Sequence, residues 1–144
     1  MTSQTSRYYR FGACVVDARR RLVWRNGQPV LVTAKTFDVL LFLIRRANRV
    51  IDKAEFFASL WPDTAVLEAN LVRQVSLLRK ALGQRAESHQ YIVTIPGRGY
   101  EFVADVEELH SLPPELVTDE ALSAAVDNGS DRVTRSVVRS MSGA

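Results

Sequence analysis

Residues 70–83 constrain the fold more than any other part of this 144-residue chain. Leu71, Val75, Leu78 and Leu82 recur at spacings of 4, 3 and 4, which at 100° per residue confines them to a stripe about 60° wide on a helix. Gly83 follows, the residue type that most readily takes the left-handed conformation closing a helix. Opposite the stripe lie Arg73, Ser76, Leu77 and Lys80, with Asn70 and Gln74 on one shoulder and Arg79 on the other. The stripe is core. The polar face, taken alone, reads as ordinary solvated surface, so the flanking segments must decide what it does.

Upstream, residues 8–32 carry short β-branched and aromatic runs broken by Gly12, by the stretch 17–20 and by Asn26-Gly27. Asn-Gly between two such runs is a strong hairpin signal, and the pattern predicts an antiparallel meander of three or four strands. The period then changes to that of a helix. Thr33 is a candidate N-cap, and Phe37, Leu40, Leu41, Ile44 and Ala47 line one face over about four turns. Asp52 and Glu55 have the spacing of a capping box, followed by Phe56, Phe57, Leu60 and Trp61 on a short helix stopped by Pro62. Downstream, two strand-like runs, 91–95 and 100–103, flank Pro96-Gly97-Arg98-Gly99, where Pro at i+1 and Gly at i+2 suit a type II turn. The reading is an α+β winged helix-turn-helix: an N-terminal antiparallel sheet, three helices and a C-terminal β-hairpin wing tipped by Arg98.

Charge narrows the partner. Residues 1–106 hold 16 Lys and Arg against 9 Asp and Glu, whereas residues 107–144 hold 3 against 7. A basic folded part raises the prospect of a polyanion. The single Cys14 has no disulfide partner and sits in an apolar run as a small core residue. The longest apolar run, residues 39–44, is far short of the roughly 20 residues of a membrane helix. A cytoplasmic protein without cofactor or metal is expected. His89 and His110 have no acid or nucleophile at a telling spacing, and Phe102 stands where a dinucleotide fingerprint needs its third glycine. An enzyme is therefore not expected.

The segments 60–64 (Leu-Trp-Pro-Asp-Thr), 70–83 and 94–102 together resemble the winged-helix DNA-binding domain of OmpR/PhoB-type bacterial transcriptional regulators. The wording Trp-Pro-Asp-Thr and Pro-Gly-Arg-Gly-Tyr is most similar to CadC- and ToxR-like one-component regulators. The resemblance covers residues 8–106. It implies a third helix in the major groove of double-stranded DNA and a wing in the adjacent minor groove. Carried over by position, Asn70, Arg73, Gln74, Ser76, Leu77 and Arg79 face DNA from the helix, and Thr94, Arg98 and Tyr100 from the wing. Trp61 and Lys80 are expected to meet phosphates. The loop 62–68, from Pro62 to Glu68, matches a segment that touches RNA polymerase in some relatives, and a homodimer on paired half-sites is a further expectation.

Two departures qualify the resemblance. Thr36 stands where an acidic residue is usual, which predicts a weaker first-helix cap, and Glu101 stands where a basic residue is common, which predicts local repulsion from phosphate. Leu77 can pack on a thymine methyl and cannot read guanine. An exposed Leu77 and Val72 would equally suit a protein-interaction module, the principal competing reading, and an overlooked hydrolase or nucleotide-binding enzyme is the other. Residues 1–7 read as a disordered N-terminus. Residues 107–144 read as an acidic linker or tail with two weak helices, one lined by Leu116, Leu122, Ala125 and Val126 and one by Val133, Val137 and Met141, and the alternative is a dimerisation or partner-docking segment.

Overall fold

The computed structural model describes residues 7–85 and 88–116. In chain order the elements are strands β1 (Tyr8–Phe11), β2 (Cys14–Asp17), β3 (Leu22–Arg25) and β4 (Gln28–Val30), helix α1 (Ala34–Ile44), strand β5 (Val50–Asp52), helices α2 (Lys53–Leu60) and α3 (Glu68–Leu82), and strands β6 (Ile92–Ile95), β7 (Gly99–Phe102) and β8 (Glu107–Leu109). The α+β class and the winged helix-turn-helix order are those expected. Two compact units share the chain, one from the described residues of Met1–Leu31 and Glu107–Ala144, the other Val32–Val106.

The first unit is an antiparallel sheet in the order β4-β3-β2-β1-β8. Its hairpins are set by local chemistry. Asn26 and Gly27 both take positive φ, 54° and 78°, the pair of conformations a two-residue turn needs to match strand twist. Between β2 and β3 the buried carboxylate of Asp17 organises the turn, accepting from the backbone N–H groups of Arg19 and Arg20 at 3.1 Å each and from the Arg7 guanidinium at 3.2 Å. Arg7 is thus tied to the sheet, one residue inside the segment expected to be disordered; residues 1–6 lie outside the described residues.

The sheet also corrects the expected domain end at 106. Glu107–Leu109 adds to the edge of β1, with Tyr8 opposite Leu109 and Arg10 opposite Glu107. Beyond it a short 3-10 turn, Pro114–Leu116, sets Leu116 into a cluster with Val15 and Trp24. Acidic composition suggested a tail, but strand pairing uses backbone groups, and Leu116, with Leu112 packed against its cluster, anchors the return. The helices considered for residues beyond 116 lie outside the described residues.

The second unit holds the helices and the three-stranded sheet β5-β7-β6. Thr33 caps α1 as expected, accepting from the Thr36 N–H at 3.2 Å. The helix ends at Ile44, a turn short of the expected length, because the chain must reverse into β5. Asn48 makes that bend at φ 66° and donates its N–H to Phe102 O at 2.7 Å. β5 itself, three residues long, was not foreseen, being too short for any periodic signal. Asp52 and Glu55 form the expected capping box on α2. On α3, Leu71, Val75, Leu78 and Leu82 are buried and Gly83 closes the helix at φ 79°.

Candidate nucleic-acid interface

The wing is seated before it is exposed. Its turn closes through Arg98 N–H to Ile95 O at 2.9 Å, with Gly97 at φ 76° supplying the conformation the type II turn needs. Gly99 faces β5 so closely that a Cβ there would overlap the Ile51 carbonyl oxygen. The Lys53 N–H donates to Arg98 O at 3.0 Å, and the Arg98 guanidinium pairs with Asp52 Oδ1 at 3.2 Å. Both partners of that pair are more than half exposed. Tyr100 is only 6% exposed and meets Phe56 edge-on at 5.8 Å, so its ring belongs to the core. Burial pushes its phenol above the ordinary value, with the charges of Arg79 and Lys53 opposing that rise. Thr94 is exposed on β6, and Glu101 is half-buried on β7 between Val50 and Val93.

β6 is an edge strand of its sheet, and edges leave backbone groups unpaired. Side chains from the end of α3 satisfy those of Ile92. Gln84 Oε1 accepts from the N–H groups of Tyr91 at 3.1 Å and Ile92 at 2.8 Å, while its Nε2 donates to Ile92 O at 2.8 Å and Ser88 O at 3.0 Å. Arg79 Nη2 donates to the same Ile92 carbonyl at 3.1 Å and to Thr94 Oγ1 at 2.9 Å. Gln84, buried just past the helix, carries the hairpin's attachment and was missed by sequence reasoning, since nothing in a lone Gln after Gly83 signals a four-way clamp. Arg79, expected to face DNA, leans instead onto the wing, with its Nε buried and unpaired.

The opposite shoulder of α3 is engaged as well. Thr36 Oγ1 donates to Gln74 Oε1 at 2.6 Å and lies 2.9 Å from Thr33 Oγ1, linking α1 to α3 through hydroxyls. The expectation that Thr36 merely weakens a cap therefore changes: the position acquires an inter-helix link. Asn70 on that shoulder is exposed, as are Arg73, Ser76, Leu77 and Lys80 between the two shoulders, Leu77 at 36%. Arg73 makes no ion pair with any described residue. Trp61, half-buried at the end of α2, lies under Lys35 Nζ at 5.0 Å and beside Phe57 at 5.8 Å, and its indole N–H makes no hydrogen bond among the described residues. In the loop before α3, Leu67 is 75% exposed, and Lys53 pairs with Glu68 at 2.8 Å. Among the described residues no cluster of side chains could hold a metal and no helix is long and apolar enough to cross a membrane.

Comparison with known proteins places this arrangement. Residues 27–102 match the model of the family described as transcriptional regulatory protein, C terminal. The chain belongs to that family. It is 32% identical over 105 residues to the cholera toxin homolog transcriptional activator of Vibrio parahaemolyticus, covering 72% of this chain and 36% of that protein. The DNA-binding domain of Escherichia coli CadC superposes with a TM-score of 0.64 at 26% identity, covering 74% of this chain and all of that domain. The Klebsiella pneumoniae RstA DNA-binding domain, solved in complex with the RstA box, superposes at 0.61 with 27% identity over 67% of this chain and 96% of its own. The chain spans between about a sixth and about two fifths of the length of the curated relatives it matches.

Proposed function

We propose that this family member binds double-stranded DNA sequence-specifically, as a bacterial transcriptional regulator or the DNA-binding part of one, and is not an enzyme. The observation that carries the reading is the outer face of α3. A partly exposed helix presents Asn70, Arg73, Ser76, Leu77 and Lys80 beside a hairpin seated against it, and Arg73 lacks a carboxylate partner among the described residues. An α-helix fits the major groove of B-DNA, where Arg pairs bidentately with guanine and Asn with adenine. Arg98 at the wing tip would enter the minor groove, exchanging Asp52 for phosphate or base edges, and Trp61 N–H and Lys80 would meet phosphates. Arg79, Thr94 and Tyr100 support the wing more than they read sequence. A solved relative held in complex with its box lends the same reading support.

Two finer assignments follow. The exposed loop 62–68, from Pro62 to Glu68 and including Leu67, is the proposed contact for RNA polymerase. One module has a small interface, so useful affinity calls for two copies on paired half-sites. The decisive experiment is selection from a random duplex pool at two salt concentrations. An enriched motif, bound with a log–log salt slope near −0.9 for each phosphate neutralised, is the expected result. A flat pool with no salt-dependent retention overturns the DNA reading and favours a protein partner for Leu77 and Val72.

A further inference from the structure

We infer that Thr36 is a specificity-determining positioning residue: by holding the Gln74 carboxamide oxygen, it makes Gln74 a donor-only reader of the major-groove edge. The inference rests on the DNA reading above, with α3 in the major groove. A free Gln recognises adenine with both ends of its amide, Oε1 accepting from N6 and Nε2 donating to N7. Here one end is engaged. Gln74 Oε1 accepts from Thr36 Oγ1 at 2.6 Å, and Thr36 is itself buried and backed by Thr33 Oγ1 at 2.9 Å. Thr33 in turn is fixed because it caps α1.

The other end of the amide is open. Gln74 Nε2 makes no hydrogen bond with a described residue, and it is not among the buried polar atoms left unpaired, so it reaches solvent. The position on the helix explains both facts. Gln74 lies some 40° outside the buried stripe on the flank that meets α1, close enough for Oε1 to turn inward while Nε2 stays at the surface. An amide N–H₂ pair finds its best partner in guanine, which offers the adjacent acceptors O6 and N7; cytosine, presenting only a donor, is its worst. Two hydroxyls on one helix thereby set what a side chain on another helix can read.

The test is the duplex selection run with the whole chain in wild-type form and as T36V, T36S, Q74E and Q74A. The wild type should prefer guanine over cytosine at one position, and Q74A should flatten that position alone. T36V frees Oε1 and should raise the adenine-to-guanine ratio there by roughly fivefold or more, while T36S, which keeps the hydroxyl, should retain the wild-type profile. Q74E still accepts from Thr36 but has no donor, so it should turn the preference toward cytosine; because Gln74 is partly exposed, this variant reads the proposal even if T36V fails to fold. A T36V protein with lowered thermal stability and an unchanged base profile overturns the inference and leaves Thr36 a purely structural link. So does a wild-type preference for cytosine at the Gln74-dependent position, which would mean that the carboxamide oxygen faces outward. A wild-type chain that enriches no motif overturns the DNA reading itself, a separate result from either of these.

Discussion

The outer face of α3 and the tip of the wing both present arginine, yet they are prepared for binding in opposite ways. Arg73 stands exposed without an ion pair among the described residues, whereas Arg98 is already paired with Asp52 at 3.2 Å and its backbone carbonyl accepts from Lys53. A side chain held by a carboxylate in water gives up little when it changes partner, since exposed pairs contribute at most about 1 kcal/mol. The helix therefore offers uncompensated charge, and the wing offers a preset geometry with its charge partly neutralised. Arg79, alike in sequence, does neither: it joins the two regions by donating to Ile92 O and Thr94 Oγ1. Under the proposed DNA reading the three arginines thus divide into a reader, a poised contact and a fastener, and only the fastener is half-buried with a buried nitrogen.

The largest test of this division strikes the fastening. Gln84→Ala leaves the N–H groups of Tyr91 and Ile92 without their acceptor, and should cost about 3 kcal/mol of folding stability; denaturant midpoints within error of wild type would show that the wing does not depend on it. Arg73→Ala comes next, with an expected loss of roughly 1 to 3 kcal/mol on a selected site and a smaller one on random duplex. Equal losses on both, measured by titration at one salt concentration, would make Arg73 a phosphate contact and erase its contrast with Arg98. Asp52→Asn sharpens the contrast from the other side. Asn caps a helix as well as Asp, so α2 should persist while Arg98 is released, tightening binding to all duplexes by up to about threefold at low salt; no change would mean that Arg98 stays off the DNA.

The smallest effect is a matter of pH. Glu55 is held below the ordinary carboxylate range, first by its hydrogen bond to Arg49 at 3.1 Å and then by the Asp52 N–H at 3.3 Å. Its contribution is complete above the unfolded value, about 4.3, and is lost as the pH falls through the lower folded value. Glu55→Gln, which keeps a capping-box residue, should flatten the acid limb of the stability curve slightly. Burial of the Tyr100 phenol acts at the other end, where stability falls as the pH rises above about 10; an unchanged acid limb in Glu55→Gln would show that Glu55 contributes nothing there.

Local rules made much of this legible. Thr33, the Asp52 and Glu55 box, Gly83 at the end of α3, Asn26-Gly27 and Pro96-Gly97 each act through backbone within a few residues, and each does in the structure what its chemistry demands. The stripe of Leu71, Val75, Leu78 and Leu82 is buried for the same reason, because period alone assigns a face. What escaped were contacts between distant residues. β5 and β8 are three-residue strands whose existence depends on β7 and β1 offering an edge, and a segment that short carries no period of its own. The site divides along the same line: Asn70, Arg73, Ser76, Leu77 and Lys80 lie exposed as their helical phase requires, while Arg79 and Tyr100, expected outward, turn to β6 and to the core, and Gln74 turns its carboxamide oxygen to Thr36.

By itself, then, the sequence determined which segments form the three helices and the tight turns, which face of α3 is apolar, and that the basic charge resides in residues 1–106, because propensity, periodicity and capping act over one or two turns of chain. Tertiary structure alone decided what each polar side chain on α3 is for. A residue on the shoulder of a helix sits at the border between core and solvent, and its partner is supplied by whatever element packs there: a hydroxyl of α1 for Gln74, the unpaired edge of β6 for Arg79. Their separations of 38 and 13 residues place those partners beyond the reach of any local pattern.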